Sequence, residues 1–583
     1  MKLFVTLIVL MAMSFKLNAQ TTTAVNFKPT GQANPISGCV FCADPTALEY
    51  NGRLYVYGTN DHQQFIKNGK KNKNGYGDIK SLVVFSTDDM VNWTFHGTID
   101  TQKLCSSWRK VTSWDDIPWA FHNSWAPSVM WRTNDQGEDE FFLYFANNSH
   151  GVGVLTANSP IGPWKSPLTA PLVNNKTSGA NSSAANFDPG VVIDDNGTGW
   201  VTFGGLDPDN GGTNFQPNHA CIAKLKPSMI ALDGAAIKIP APYHFEANEL
   251  NMIGGKYAFT YCSNWNRNNA EWNTYKKEHN ISANLPNLGT MCYMVSDNPM
   301  DPDSWVYKGE YGPHPGSSEN NHSHLQKYQG NYYHIYHSCA LLEEMKNANP
   351  KGVDGSAELY RSICINEATV DEANQNIQSV KLDTKGVAPI KPLDPYQLQQ
   401  AETMASCGGV NYEDFKNIKT ITSKNTLGND ASENMYIKMA PGSWTAVRNV
   451  DFGEKGAKSF VLRAKGTGTL EFRTASKGQP IATVQFASTE MEDHVFEIDP
   501  ETFKGTKNLF FLVFTEATNV QFDAWQFFET APNAISAVPT EATQPSAQYD
   551  LNGRRLQNAN RSGLVIEQYQ DVNGITRTRK RVK

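Results

Sequence analysis

Across residues 43–338 the chain repeats one order of polar and apolar positions five times: a polar or acidic opening, a short apolar run, a turn, then an aromatic strand. The copies read ADPTALEYNGRLYVYGTND from Ala43, SWAPSVMWRTNDQGEDEFFLYFANN from Ser124, NFDPGVVIDDNGTGWVTFGG from Asn186, FEANELNMIGGKYAFTYCSN from Phe245 and NHSHLQKYQGNYYHIYHS from Asn321. Alternating runs bounded by Asn, Asp and Gly predict antiparallel hairpins. A second recurrence lies between them: FSTDDMVNW from Phe85, LTANSPIGPW from Leu155 and MVSDNPMDPDSW from Met294, each a strand, a turn and a Trp opening the next strand. Two interleaved recurrences predict sheets of about four antiparallel strands repeated around an axis, an all-β, five-bladed β-propeller with aromatics packing blade to blade.

The pattern changes near residue 390. VAPIKPLDPY is a Pro-punctuated linker, and the strands KSFVLRAKG, TLEFRTAS and KNLFFLVFTE predict a second domain, a β-sandwich of jelly-roll type. The expected organisation is a signal peptide at 1–19, the propeller at 20–390, the sandwich at 397–530, and a linker and C-terminal tail at 531–583. The tail resembles C-terminal segments of secreted Bacteroidetes proteins.

Composition narrows the partners. The 583 residues hold 39% hydrophobic and 19% charged positions, with 13 Trp, 22 Tyr and 29 Phe, the balance of a folded β-rich protein. A net charge of −7 argues against nucleic acid. The N-terminus has Lys2, an apolar run at 3–13 and a small Ala19, which predicts a secretory signal and a location in the periplasm, at the cell surface or outside the cell. That run is too short for a transmembrane segment, and no later stretch reaches about 18 continuous apolar residues. The nine cysteines are scattered, as buried apolar residues are. Cys39 and Cys42 form the only CxxC, where a local disulfide is favoured over zinc.

In a propeller the innermost strands aim their first residues at the axis, so Asp44, Trp125, Asp188, Glu246 and His322 should converge. Three carboxylates with an aromatic suit hydrolysis of a glycosidic bond: one carboxylate activates water, one carboxylic acid protonates the leaving oxygen, and the ring packs on sugar. Glu249 is the rival to Glu246 within its motif. Asp194 and Asp195 precede Asn196-Gly197 and read as hairpin-turn residues.

These motifs resemble the family 43 glycoside hydrolases over residues 34–369. The resemblance implies an inverting hydrolase with Asp44 as general base, Glu246 as general acid and Asp188 as the residue that orients the acid and tunes its pKa. It also implies Trp125 as a subsite wall and His322 as a residue serving substrate, a metal or water at the propeller centre. The expected activity is exo-release of α-L-arabinofuranosyl or β-D-xylosyl groups from arabinoxylan or xylan, with loops 60–78 and 262–286 deciding between them. An endo-arabinanase acting on arabinan and a non-catalytic glycan-binding protein are the alternatives. Fructan hydrolases are disfavoured, because Phe187 and Ala247 stand where an Arg and a Cys would be expected.

The second domain resembles a family 6 carbohydrate-binding module in QLQQAETMAS from Gln397, NMYIKMAPGSWTAVRNVDFG from Asn434 and NVQFDAWQFFE from Asn519. That resemblance implies sugar contacts at Tyr436 and Trp444 and a structural calcium at Glu402 and Asp523. A ligand-stacking Trp usual in that family is replaced by the run STEMEDHVFEID. No cofactor is expected for the chemistry itself.

Overall fold

The computed structural model describes residues 24–110, 120–181, 185–205, 219–265, 267–316, 320–348, 353–417 and 435–531, together with the strand backbone at Ala547–Tyr549, Leu564–Gln570 and Thr576–Val582. The expected signal peptide, and most of the tail, lie outside the described residues.

Five antiparallel sheets follow one another in chain order. The first blade comprises Ala43–Tyr50, Arg53–Thr59, Leu82–Thr87 and Trp93–Ile99; the second Trp125–Thr133, Asp139–Ala146, Gly151–Ala157 and Val173–Asn174. The third comprises Gly190–Ile193, Gly199–Phe203, Ala220–Lys224 and Ile237–Ile239; the fourth His244–Ile253, Lys256–Ser263, Met291–Ser296 and Val306–Gly312. The fifth holds only Ser323–Tyr328, Asn331–Ser338 and Ser362–Ala368. Its outer edge is covered by the segment before the first blade: Ile36 N donates to Ile363 O, Cys42 N to Arg361 O, and the Asn34 side chain bonds Ile365 on both its N–H and its carbonyl. The ring is thus closed by residues from opposite ends of the propeller sequence.

The recurrence has a physical basis in its turns. In the first, fourth and fifth blades the inner hairpin closes through two residues of positive φ, Asn51-Gly52, Gly254-Gly255 and Gln329-Gly330. Two consecutive left-handed residues make the turn whose twist matches that of paired strands, and Gly supplies the second without steric cost. Between blades the aromatic strands pack as expected. One cluster joins Tyr57 and Leu82 to Phe141 and Phe145, and another joins Trp200 to Phe259, Tyr261 and Trp305.

The second domain is one curled sheet rather than a set of short strands. Ser459–Arg473, Ala482–Glu497 and Thr506–Phe528 run for 15, 16 and 23 residues. The last pairs with Trp444–Asp451 through its first half and with Met435–Met439 through its second, and Phe460, Phe472, Phe510 and Phe527 fill the interior. The sequence suggested shorter elements, with KSFVLRAKG and TLEFRTAS as separate strands parted at Gly466 and Gly468. These glycines sit instead at the bend of a strand that continues, with a register shift beside Gly466.

The two domains share a sheet and a core. Thr403 and Met404 pair with Thr94 and Trp93, adding a fifth strand to the first blade. One apolar cluster runs from Phe85, Trp93 and Phe95 to Phe415, Val447 and Phe460. Asn92 and Arg448 exchange two hydrogen bonds across the junction, of 2.8 and 2.9 Å. Among the described residues no helix is long and apolar enough to cross a membrane. All nine cysteines are buried free thiols, so the local disulfide expected at Cys39 and Cys42 is not formed.

Candidate active site

The inner strands do not begin as regular ladders. Register slips fall between Ala43 and Thr46, between Trp125 and Ser128, and between Glu246 and Glu249. At each slip one residue takes a left-handed backbone: Asp44 at φ 48°, Ala126 at 35° and Ala247 at 63°, with Asp188 at 49° in the third blade. For residues other than Gly such a conformation costs on the order of 1–3 kcal/mol and persists only where the surroundings enforce it. The bend turns the strand start towards the axis. Four of the five residues expected to open the copies therefore occupy two register positions. Asp44 and Asp188 stand at the bend, whereas Trp125 and Glu246 stand one residue before it.

Asp44 is held on every side. Thr59 Oγ1 donates to its Oδ2 at 2.7 Å, Arg361 donates to Oδ1 at 2.7 Å, and its backbone N–H donates to His337 Nδ1 at 3.1 Å. Thr59 Oγ1 in turn accepts from Ala126 N at 2.8 Å, which ties the bends of the first two blades together. Burial opposes ionisation of Asp44, but Arg361 and then His337 and His322 outweigh it and hold the carboxyl well below the usual range. Asp44 is an anion at any working pH.

Asp188 has the opposite balance. Its Oδ2 accepts from Ala247 N at 2.9 Å, yet burial, then Glu246, then Asp44 push its pKa well above the ordinary value. Asn248 fixes the third blade to the fourth by donating to Asp188 O at 2.9 Å and Gly204 O at 2.7 Å, while its Oδ1 meets His244 Nε2 at 2.7 Å. Glu246 is half-buried at the start of this strand. Asp188 and Glu246 repel when both are charged, which adds to burial in favouring the protonated form of Asp188.

His322 lies beneath these groups, its Nδ1 3.8 Å from Asp44 Oδ1 and 3.8 Å from Asp188 Oδ2. Burial pushes its pKa down to about 3, so the ring is neutral there. Trp125 is half-buried, and its indole N–H donates to Tyr76 O at 3.0 Å. Glu249 points away from solvent: it is fully buried, with Oε2 3.3 Å from His324 Nδ1. A carboxyl sealed in the propeller centre is out of reach of a glycosidic oxygen, whereas Glu246 keeps partial exposure. Asp194 accepts from Asn196 N and Thr198 N at 2.9 Å, and from Trp200 and Tyr257 through its other oxygen, a structural turn residue as expected.

Sequence reasoning missed Arg361, His337 and Thr59. Thr59 and His337 lie inside quoted motifs, but at strand ends, where Thr and His carry no chemical signal. Arg361 falls outside the repeats altogether.

In the second domain Tyr436 is half-buried. Trp444 requires a correction: it is 2% exposed and packs edge-on against Phe511 at 5.1 Å, so it is a core residue with no face for a sugar. Glu402 is fully buried, and Asp523 accepts from Arg463 Nε at 2.9 Å. Among the described residues no three His, Cys, Asp or Glu side chains gather as a metal site.

Comparison with known proteins agrees with this geometry. The sequence model of Glycosyl hydrolases family 43 matches residues 32–373, and that of Carbohydrate binding module (family 6) matches residues 400–529. The chain is 33% identical over 544 residues to an arabinoxylan arabinofuranohydrolase of Bacillus subtilis (strain 168), covering 90% of this chain and 98% of that protein. It is 32% identical over 564 residues to an arabinoxylan arabinofuranohydrolase of Paenibacillus polymyxa, covering 94% of this chain and 82% of that one. The crystal structure of a glycoside hydrolase family 43 arabinoxylan arabinofuranohydrolase from Bacillus subtilis, in complex with cellotetraose, matches with a TM-score of 0.72 and 32% identity, over 88% of this chain and all of that one. The family match spans all five blades and every carboxylate at their axis: this chain belongs to glycosyl hydrolase family 43 and is a glycosidase.

Proposed function

We propose that this glycosidase inverts configuration as it releases α-L-arabinofuranosyl or β-D-xylosyl groups from arabinoxylan or xylan. The observation that carries the reading is the division of charge at the axis. Arg361 holds Asp44 towards its ionised form, while burial and the neighbouring Glu246 push Asp188 towards its protonated form. Asp44 accepts a proton from water as the water attacks the anomeric carbon. Glu246, half-exposed at the rim, gives its proton to the departing glycosidic oxygen, and the neighbouring Asp188 keeps that proton available. The Ala247 N–H holds the Asp188 carboxylate beside the Glu246 backbone, and Asn248 holds the Asp188 backbone carbonyl. Two relatives named for arabinoxylan support the arabinofuranosyl reading of the substrate.

The test compares aryl α-L-arabinofuranoside with aryl β-D-xyloside, then arabinoxylan with linear arabinan, and follows the released sugar by proton NMR. Arabinose first appearing with inverted anomeric configuration is expected. Retained configuration overturns the mechanism, and preference for linear arabinan overturns the substrate.

The same reading includes export, supported by Lys2, the apolar run at 3–13 and Ala19. It also includes a structural calcium in the second domain. Glu402 offers hard oxygen donors out of reach of water and Asp523 is the second acidic donor, with backbone oxygens or waters completing the shell. A metal or water at the propeller centre would meet His322 Nε2, which has no hydrogen-bond partner among the described residues. Chelation should lower the melting temperature. An unchanged melt with no calcium found by elemental analysis removes that part of the proposal.

A further inference from the structure

We propose that Asp61 is a positioning residue for catalysis, acting through Arg361 to fix the general base. This rests on the reading of Asp44 as that base. Asp61 opens the short helix Asp61–Lys67 immediately after the inner hairpin of the first blade. Its carboxylate is completely buried, and so is nearly all of Arg361. Arg361 meets it with three donors: its backbone N–H at 3.0 Å and its Nε at 2.9 Å both reach Oδ2, and one terminal nitrogen reaches Oδ1 at 2.9 Å. The Tyr76 ring covers one guanidinium face, 4.8 Å from its centre.

That arrangement uses one whole edge of the guanidinium. The remaining nitrogen is left aimed at Asp44 Oδ1, at 2.7 Å, and at Asn320 Oδ1, at 3.3 Å. A planar fork held bidentately along one edge has a defined direction for its other edge, which a flexible cation does not. Among the described residues Asp61 carries no side-chain hydrogen-bond partner other than Arg361, and its side chain is fully buried. A buried carboxylate in this place would be costly unless it balanced a buried cation. Its placement therefore serves the direction of Arg361 and, through it, the position of the Asp44 carboxylate against the attacking water.

The experiment measures kcat and KM for the full chain with a dinitrophenyl glycoside and with a natural oligosaccharide, in wild type, Asp61→Asn, Arg361→Lys, the double variant, and Asp44→Asn. Asp61→Asn keeps the shape but replaces an acceptor with a donor facing Arg361. It is expected to lower kcat by about 10- to 100-fold on both substrates alike, with KM changed less than about threefold, because the defect lies on the water side and not at the leaving group. Arg361→Lys keeps the charge and loses the fork, and should show a similar loss. The double variant should be no worse than the poorer single one, since both substitutions break the same link. Additive losses, or full activity in either single variant, overturn the proposal. If Asp61→Asn does not fold, full activity in Arg361→Lys alone still overturns it, and a kcat loss there with KM kept supports it. Retained turnover in Asp44→Asn identifies a different failure, that of the base assignment itself.

Discussion

Truncation after Pro395 would remove the second domain at the Pro-rich linker, and the junction predicts that the propeller left behind is damaged. The cut strips the Thr403–Met404 strand from the first blade and uncovers Trp93 and Phe95, which are 2% and 4% exposed in the whole chain. Exposing a large apolar side chain costs about 1.5–3 kcal/mol, so these two account for about 3–6 kcal/mol. Tyr412 of the second domain stacks on His62 at 4.3 Å, and losing such a ring pair costs about 0.5–1.5 kcal/mol more. The total, about 3.5–7.5 kcal/mol, is comparable to the whole stability of an ordinary domain, about 5–15 kcal/mol. The damage also falls next to the site, because His62 follows Asp61 in the helix and Asn60 Nδ2 reaches the Tyr412 hydroxyl at 3.4 Å. The expected result is a truncated chain that is poorly soluble or melts at least 10 °C lower, with reduced turnover even of a small aryl glycoside. Scanning fluorimetry and initial rates on both chains measure this. A truncated chain that melts with the full-length protein and keeps its rate on the aryl glycoside refutes the argument from the shared core.

Glu246→Gln should cost about 10²–10⁴ in rate on natural glycosides but far less on a dinitrophenyl glycoside, whose leaving group needs no proton; equal losses on both would remove Glu246 as the acid. Asp188→Asn takes away the negative neighbour that helps the pair keep its proton, so Glu246 should ionise at lower pH and the alkaline limb of kcat/KM should move down; an unmoved limb refutes the coupling. Lys28 is completely buried, and burial, then Arg448, lower its pKa to about 7. The unfolded chain keeps that proton up to about pH 10.4, so the group costs stability increasingly as pH falls towards 7 and no further below it. Lys28→Met should therefore raise the melting temperature at pH 7 and progressively less as pH approaches 10; a lower melting temperature at pH 7 would contradict this.

Much of the propeller was legible because each blade must satisfy the same local physics. Alternating residues face neighbouring blades, and turns such as Asn51-Gly52 need left-handed backbone. The axial carboxylates were legible for a related reason, since Asp tolerates the left-handed bend that aims it inward. What sequence could not supply is contact between distant residues. Asp44 and Arg361 are 317 positions apart, and nothing in the ELYRSICI segment marks its Arg as facing the base. Trp444 misled for a similar reason. An aromatic at a motif position looks the same whether its ring faces solvent or, as here, Phe511 and the space above Gly408.

The different fates of the two Asp-Pro motifs follow from the same limit. Asp44 and Asp188 share their following proline, their bend and their burial, each being 4% exposed. Desolvation therefore pushes both towards the neutral form, and neither motif determines the outcome. Asp44 stays charged because the fifth blade sends Arg361 to it, held in turn by Asp61, and because Thr59 and His337 complete its shell. Asp188 accepts a backbone N–H from Ala247 but meets the repulsion of Glu246, so burial prevails and its pKa stays raised. Glu246 differs from both by one residue of register: standing before the bend, it is half-buried where the other two are buried. The three carboxyls are distinguished by which side chains from other blades meet each of them and by that one-residue offset.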